Sequence, residues 1–128
     1  MNNGWYILNY HNISWEENYY TRGLANNFPP DIFTKHIEFL NGVGKLVSVE
    51  EGLKKIRSNN INEPLISIWF DDGFNGVKNY AYPIMEDYGI KGTVSVCSKF
   101  FLMEEIFWRS KLMFISQMDG LRFLRSKM

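Results

Sequence analysis

The sequence predicts an α/β fold, with parallel strands alternating with helices as the first half of a distorted (β/α) barrel. Short β-forming runs alternate with runs at helical period, an order that calls for parallel strands joined by right-handed crossovers. One run, Leu65-Ile66-Ser67-Ile68-Trp69-Phe70, is nearly continuous in apolar residues, as a parallel strand covered on both faces is. The chain has 128 residues, whereas a closed (β/α) barrel takes about 200 or more. The expectation is therefore a single, incomplete domain over residues 1–128 rather than a small open sheet.

The elements follow in order. Residues 5–10 (WYILNY) form a compact β-type run that ends at His11-Asn12. A polar and aromatic stretch over 13–28 is irregular. Pro29-Pro30-Asp31 opens a helix, since proline suits a first turn. Phe33, Ile37 and Leu40 make its buried stripe, and Asn41-Gly42 closes it. Residues 46–49 are a short strand. Ser48 with Glu51 reads as a capping box opening a second helix, with Leu53 and Ile56 inward and Lys54, Lys55 and Arg57 outward. Residues 58–64 (SNNINEP) are a loop, followed by the strand over 65–70.

Asp71-Asp72-Gly73 ends that strand. From Asn75 the apolar set Val77, Tyr80, Ala81, Ile84, Met85 and Tyr88 keeps helical period until Gly89, and Pro83 inside it predicts a kink. Residues 92–97 (GTVSVC) are a fourth strand, and residues 106–118 a last helix. Residues 121–128 still read as helix without a cap or polar tail, which fits an interrupted chain.

Composition removes several classes of function. Fourteen basic residues balance fourteen acidic ones, and no basic stripe marks a nucleic-acid binder. The Lys54-Lys55-Arg57 cluster reads as a solvated helix face. Hydrophobic residues make up 45%, too many for a disordered chain of zero net charge. A single cysteine, Cys97, excludes an internal disulfide and a cysteine-based zinc finger, and its β-type surroundings place it in the core. No apolar run approaches the roughly 18 residues of a membrane span. The first residues lack a signal-peptide pattern, which leaves the cytoplasm as the default location. Aromatics reach 16%, enough for a ring-rich core or cleft. Trp5, Trp69 and Trp108 read as core, and Trp15, Tyr19 and Tyr20, in the irregular stretch, are candidates for stacking on sugar faces.

Chemistry in α/β folds gathers at the carboxyl ends of parallel strands. Asp71 and Asp72 stand at such an end, where strand alternation would send their carboxylates to different partners. Neighbouring carboxylates repel, raising at least one pKa unless a cation compensates. The pair suits a divalent metal, with one Asp as ligand and the other as general base. The alternative is an Asp-Gly turn whose side chains cap the next helix. His11, also after a strand, is placed to face the same pocket and bind substrate, or else is a hydrogen-bonded loop histidine. His36, beside the Phe33–Ile37 stripe, reads as structural.

Ile68-Trp69-Phe70-Asp71-Asp72-Gly73-Phe74 resembles the first signature motif of the polysaccharide deacetylase family (the NodB-homology domain), usually Thr-Phe-Asp-Asp-Gly. Tyr80-Ala81-Tyr82-Pro83-Ile84-Met85 and Tyr88-Gly89-Ile90-Lys91-Gly92-Thr93 resemble the family's next helix and strand. Tyr10-His11 resembles the Tyr-His of many members, and residues 30–56 follow a common family pattern. The similarity runs from about Tyr6 to Phe101. It implies a distorted barrel that hydrolyses N-acyl groups, mostly N-acetyl, from amino sugars of a polysaccharide, releasing acetate and a free amine. It further implies Asp71 as general base and Asp72 as ligand of a divalent metal, zinc or similar, which would polarise the amide carbonyl.

The chain also departs from that pattern. The family completes its metal site with a His-x-x-x-His motif about one βα unit further on, whereas His11 and His36 are the only histidines here and both lie upstream. A later arginine motif, a second Asp motif and a Leu-x-His motif have no counterpart. Trp69 stands where threonine is usual, on the strand face of Asp71, and its bulk bears on the shape of the pocket. The expectation is an incomplete or inactive deacetylase. A second reading is a non-catalytic remnant that binds glycan or protein. A third, magnesium-dependent phosphoryl transfer, lacks the Gly-rich phosphate loop it normally needs. An open sheet edge favours self-association.

Overall fold

The computed structural model describes residues 1–17, 21–98, 108, 111, 112 and 115. The chain runs β1 (Gly4–Tyr10), β2 (Asn12–Ile13), β3 (Asn27–Phe28), α1 (Pro30–Val43), β4 (Lys45–Leu46), α2 (Val49–Arg57) and β5 (Pro64–Phe70). A π-helical segment (Val77–Ala81), α3 (Tyr82–Asp87) and β6 (Thr93–Val94) follow.

Every strand pairing among the described residues is parallel, as the alternation of elements requires. The apolar run predicted as the central strand is central. β1 pairs β5 along its whole length, from Gly4 opposite Pro64 to Tyr10 opposite Phe70. A strand has only two edges, so β4 and β6 share the other one, β4 at Leu65 and Ile66 and β6 at Trp69 and Phe70. β1 therefore skips β4 to lie beside β5, where a regular barrel would keep neighbours in chain order. Asn12 and Ile13 pair separately with Asn27 and Phe28.

The core forms where α1 lies on this sheet. Phe33, Ile37 and Leu40 pack with Tyr10, Ile66, Ile68 and Phe70, and the cluster continues through Val77, Ala81 and Met85. Each fully buried side chain of this size contributes roughly 1.5–3 kcal/mol. Below them Trp5 Nε1 donates to Ser67 Oγ at 2.9 Å, and Ser67 Oγ donates to the Val47 carbonyl at 2.9 Å. That relay satisfies a buried hydroxyl and ties β1, β5 and the residue after β4 together.

Several boundaries differ from expectation. α1 passes Asn41-Gly42 and stops at Val43, where extended Gly44 donates to the Leu40 carbonyl. A β-carbon on Gly44 would come within 2.8 Å of the Pro64 carbonyl, so the turn into the sheet, not the Asn-Gly pair, sets the end. The Ser48–Glu51 capping box forms completely, and it starts α2 at Val49, which shortens the preceding strand to Lys45–Leu46. Leu53 and Ile56, expected inward, are 37% and 49% exposed. Gly52 makes the inward contact of α2 instead, against the Trp5 indole. Apolar periodicity cannot register a contact made by a residue without a side chain.

The irregularity expected at Pro83 takes the form of a π-helical turn within one continuous helical run over 75–87. The backbone widens first, with Tyr82 N–H donating to the Val77 carbonyl, and Pro83 then falls in the first turn of α3, where its missing donor is tolerated. β6 is two residues long because β5 ends at Phe70, the partner of Val94. Cys97 has left the sheet and is exposed, not in the core. Trp108, Lys111, Leu112 and Ile115 are helical, as expected, but Trp108, read as core, is 58% exposed. The rest of the helix expected over 106–118, residues 121–128, and the stacking candidates Tyr19 and Tyr20 lie outside the described residues. No described helix is long and apolar enough to cross a membrane.

Candidate functional site

The carboxyl ends of β1 and β5 lie side by side, joined by the Asp71 N–H, which donates to the Tyr10 carbonyl at 2.9 Å. That bond brings His11, the residue after β1, to the same end of the sheet as Asp71. Both are half-buried.

Three side chains donate to the Asp71 carboxylate. Ser95 Oγ lies 2.5 Å and Trp69 Nε1 2.9 Å from Oδ1, and Asn9 Nδ2 lies 2.7 Å from Oδ2. Each comes from a different part of the sheet, for a local reason. Trp69 precedes Asp71 by two residues and shares its strand face. Asn9 is the partner of Trp69 in the β1–β5 register. Ser95 follows the last pair of β6, where its N–H donates to the Phe70 carbonyl at 2.8 Å.

The donors hold the Asp71 carboxyl below the usual carboxylate range. Ser95 contributes most and Asn9 next; burial opposes them, and Trp69 and the charge of His11 add smaller contributions. For Asp71 the expected upward push does not prevail: its three fixed donors outweigh burial and lower its pKa.

Asp72 is no longer on the strand. It has φ +69° and Gly73 φ +67°, so the chain makes two successive left-handed steps. Glycine takes that conformation freely, and aspartate is among the few other residues that tolerate it. A left-handed turn, not strand alternation, separates the two carboxylates. Among the described residues the Asp72 carboxylate has no hydrogen-bond donor.

His36 is elsewhere and structural, as expected. Its Nδ1 meets the Tyr10 hydroxyl at 3.2 Å, and its ring packs edge-on against Phe28. Trp15 is exposed in the loop after β2, consistent with a stacking surface. Trp5 holds the sheet together, and Trp69 belongs to the site rather than to the core.

The described residues do not fit a zinc site by themselves. No three of their histidine, cysteine, aspartate and glutamate side chains come together, and catalytic zinc takes three protein ligands. Sequence reasoning missed the donors to Asp71. The two-residue period puts Trp69 within reach, and Asn9 stands out as a polar residue near the end of an apolar strand. Nothing in the sequence singles out Ser95.

The chain is 32% identical over 95 residues, 73% of its length, to the candidate polysaccharide deacetylase YxkH of Bacillus subtilis (strain 168). It spans about a third (32%) of that relative's length. No family model matches the chain. Its fold is similar to IcaB from Ammonifex degensii, with a TM-score of 0.65 and 21% identity over 74% of this chain and 39% of that one. A de-N-acetylase from Aggregatibacter actinomycetemcomitans gives 0.61 and 19%, over 75% of this chain and 38% of that one. The Streptococcus pyogenes deacetylase PplD, solved with acetate, gives 0.65 and 26%, over 84% of this chain and 50% of that one.

Proposed function

Because the chain shares sequence and fold with part of the polysaccharide deacetylases, we propose that it hydrolyses N-acetyl groups from amino sugars of a polysaccharide, with an aspartate at the end of its central strand as the base. The observation that carries this reading is Asp71, a carboxylate fixed by Ser95, Trp69 and Asn9 at the carboxyl end of the central parallel strand. Held ionised, it acts as general base. It takes a proton from water attacking the acetyl carbonyl, and that proton goes on to the amine as the C–N bond breaks. Acetate and a free amine leave. His11, beside Asp71, contacts the sugar.

The resemblance also implies zinc or a similar divalent ion with Asp72 as ligand. The described residues supply no complete ligand set for it, so no step here passes through a metal. Exposed Trp15 favours the second reading, a glycan-binding role without catalysis.

One assay separates the two. The chain is incubated with N-acetylglucosamine oligomers, and both acetate release and oligomer binding are measured. Acetate release that is lost in Asp71→Asn supports catalysis. Binding without acetate, or release unchanged in Asp71→Asn, overturns it.

A further inference from the structure

A carboxylate offers about four lone-pair positions. Trp69 Nε1 at 2.9 Å and Ser95 Oγ at 2.5 Å both fall on Oδ1 of Asp71 and fill that oxygen. Asn9 Nδ2 at 2.7 Å takes one position on Oδ2 and, among the described residues, leaves one open. The two Oδ1 donors also touch each other, with the indole N–H 3.3 Å from Ser95 Oγ. Ser95 has one hydroxyl proton and two acceptors in range, Asp71 at 2.5 Å and the Phe70 carbonyl at 3.5 Å. The short contact takes it. Trp69, Ser95 and Oδ1 thus close a triangle built from β5 and the residue after β6. Asn9, from β1, holds the opposite oxygen against rotation.

On the deacetylase reading of Asp71, we infer that Trp69 and Ser95 are positioning residues that keep Oδ1 out of the reaction and leave Oδ2 to accept the proton. Water's proton passes to the open position on Oδ2, its oxygen joins the acetyl carbon, and the proton moves to the sugar nitrogen as the C–N bond breaks. The tryptophan at position 69 then has a reason. Its indole N–H reaches both Oδ1 of Asp71, at 2.9 Å, and Ser95 Oγ, at 3.3 Å.

The test uses acetate release from N-acetylglucosamine oligomers together with the indole N–H resonance of Trp69 in the 15N-labelled chain. Trp69→Phe keeps the ring and removes the donor; Ser95→Ala removes the hydroxyl and Ser95→Thr keeps it. Trp69→Phe and Ser95→Ala are expected to lower kcat on the order of tenfold to a hundredfold with KM unchanged, the scale of a small misplacement of a reacting group. Ser95→Thr should restore the rate. The indole resonance should move in Asp71→Ala and Ser95→Ala.

An indole resonance that stays put in Asp71→Ala overturns the triangle whatever the activity. Acetate release with wild-type kcat in Trp69→Phe and Ser95→Ala overturns the positioning role and leaves the deacetylase reading standing. A moving resonance in a chain that releases no acetate overturns the deacetylase reading, and the positioning role falls with it.

Discussion

Gly52 of α2 lies flat against the indole of Trp5, so close that a β-carbon there would sit 2.2 Å from the ring nitrogen. That nitrogen is the donor to buried Ser67, so the ring cannot swing aside without breaking the relay that joins three segments of the sheet. Gly52→Ala is therefore expected to destabilise the chain by about 1–3 kcal/mol, as overpacking does. Urea unfolding measures it. A midpoint unchanged in Gly52→Ala would show that α2 can slide on the sheet without cost.

The same contact shows where sequence reasoning ends. Phe33, Ile37 and Leu40 announce the buried face of α1 because their period is that of the helix. The run over 65–70 announces the central strand because both its faces are covered. Leu53 and Ile56 have a helical period too, but the close approach of α2 selects a glycine. At the site, Asp71 was legible from the turn that follows an apolar strand. Its donors were not, because Asn9 and Ser95 reach it only through a register in which β1 and β6 both flank β5. Ordinary strand alternation also misplaced Asp72, whose left-handed φ takes it off the strand.

Low pH should loosen α2 first. Glu51 accepts from the Ser48 N–H and hydroxyl at 3.0 Å each, which holds its carboxyl below the ordinary value. A depressed folded pKa contributes stability that is present above the unfolded value, near 4.3, and lost as pH falls through the folded one. The expected result is that the protection of the amides in the first turn of α2, taken relative to the intrinsic exchange rate at each pH, falls below about pH 4.3. Ser48→Ala should flatten that acid dependence and remove about 1 kcal/mol at neutral pH. A variant whose exchange still tracks acid like the wild type would assign the effect to another carboxylate.

High pH should act through Tyr10. Burial pushes its phenol above the usual value of 10.0, because the phenolate would have to be desolvated among Phe28, Phe33 and Phe70. A raised folded pKa contributes stability that is complete below the unfolded value and lost as pH rises through the folded one. Alkaline unfolding should accordingly begin above about pH 10 and move to higher pH in Tyr10→Phe. The substitution also removes the hydroxyl that meets His36. Parallel ultraviolet titrations of the two proteins decide the matter, and identical alkaline midpoints would remove Tyr10 from the account.

β1 pairs with β5 on one edge, and no other described strand pairs with it. Ile7, midway along it, is 48% exposed. An unpaired edge presents a row of backbone donors and acceptors to other chains. The 128-residue chain is thus expected to self-associate as its concentration rises, and Ile7→Lys should reduce this by placing charge on the edge strand. Light scattering over a concentration series tests both. A monomer at every concentration would mean that the edge is protected by residues outside those described.

Asp71→Asn separates the structural share of the carboxylate from its chemical one. The new amide nitrogen cannot accept a hydrogen bond, so it must face either the Trp69–Ser95 side or Asn9. Facing Trp69 it would oppose an indole N–H that has no acceptor capacity. Facing Asn9 it meets an amide that can turn its own oxygen inward, at little cost beyond the lost charge. The variant should settle in that second arrangement, keep the Trp69 and Ser95 bonds on its remaining oxygen, and lose about 1 kcal/mol, since a charge-assisted bond becomes a neutral one. It has no proton acceptor left at Oδ2. A fold nearly as stable as the wild type, with no acetate released, is the outcome expected of a general base. A collapse of stability by several kcal/mol would instead make Asp71 a structural clasp between β1, β5 and β6. Urea unfolding and acetate release measured on the same preparation distinguish the two.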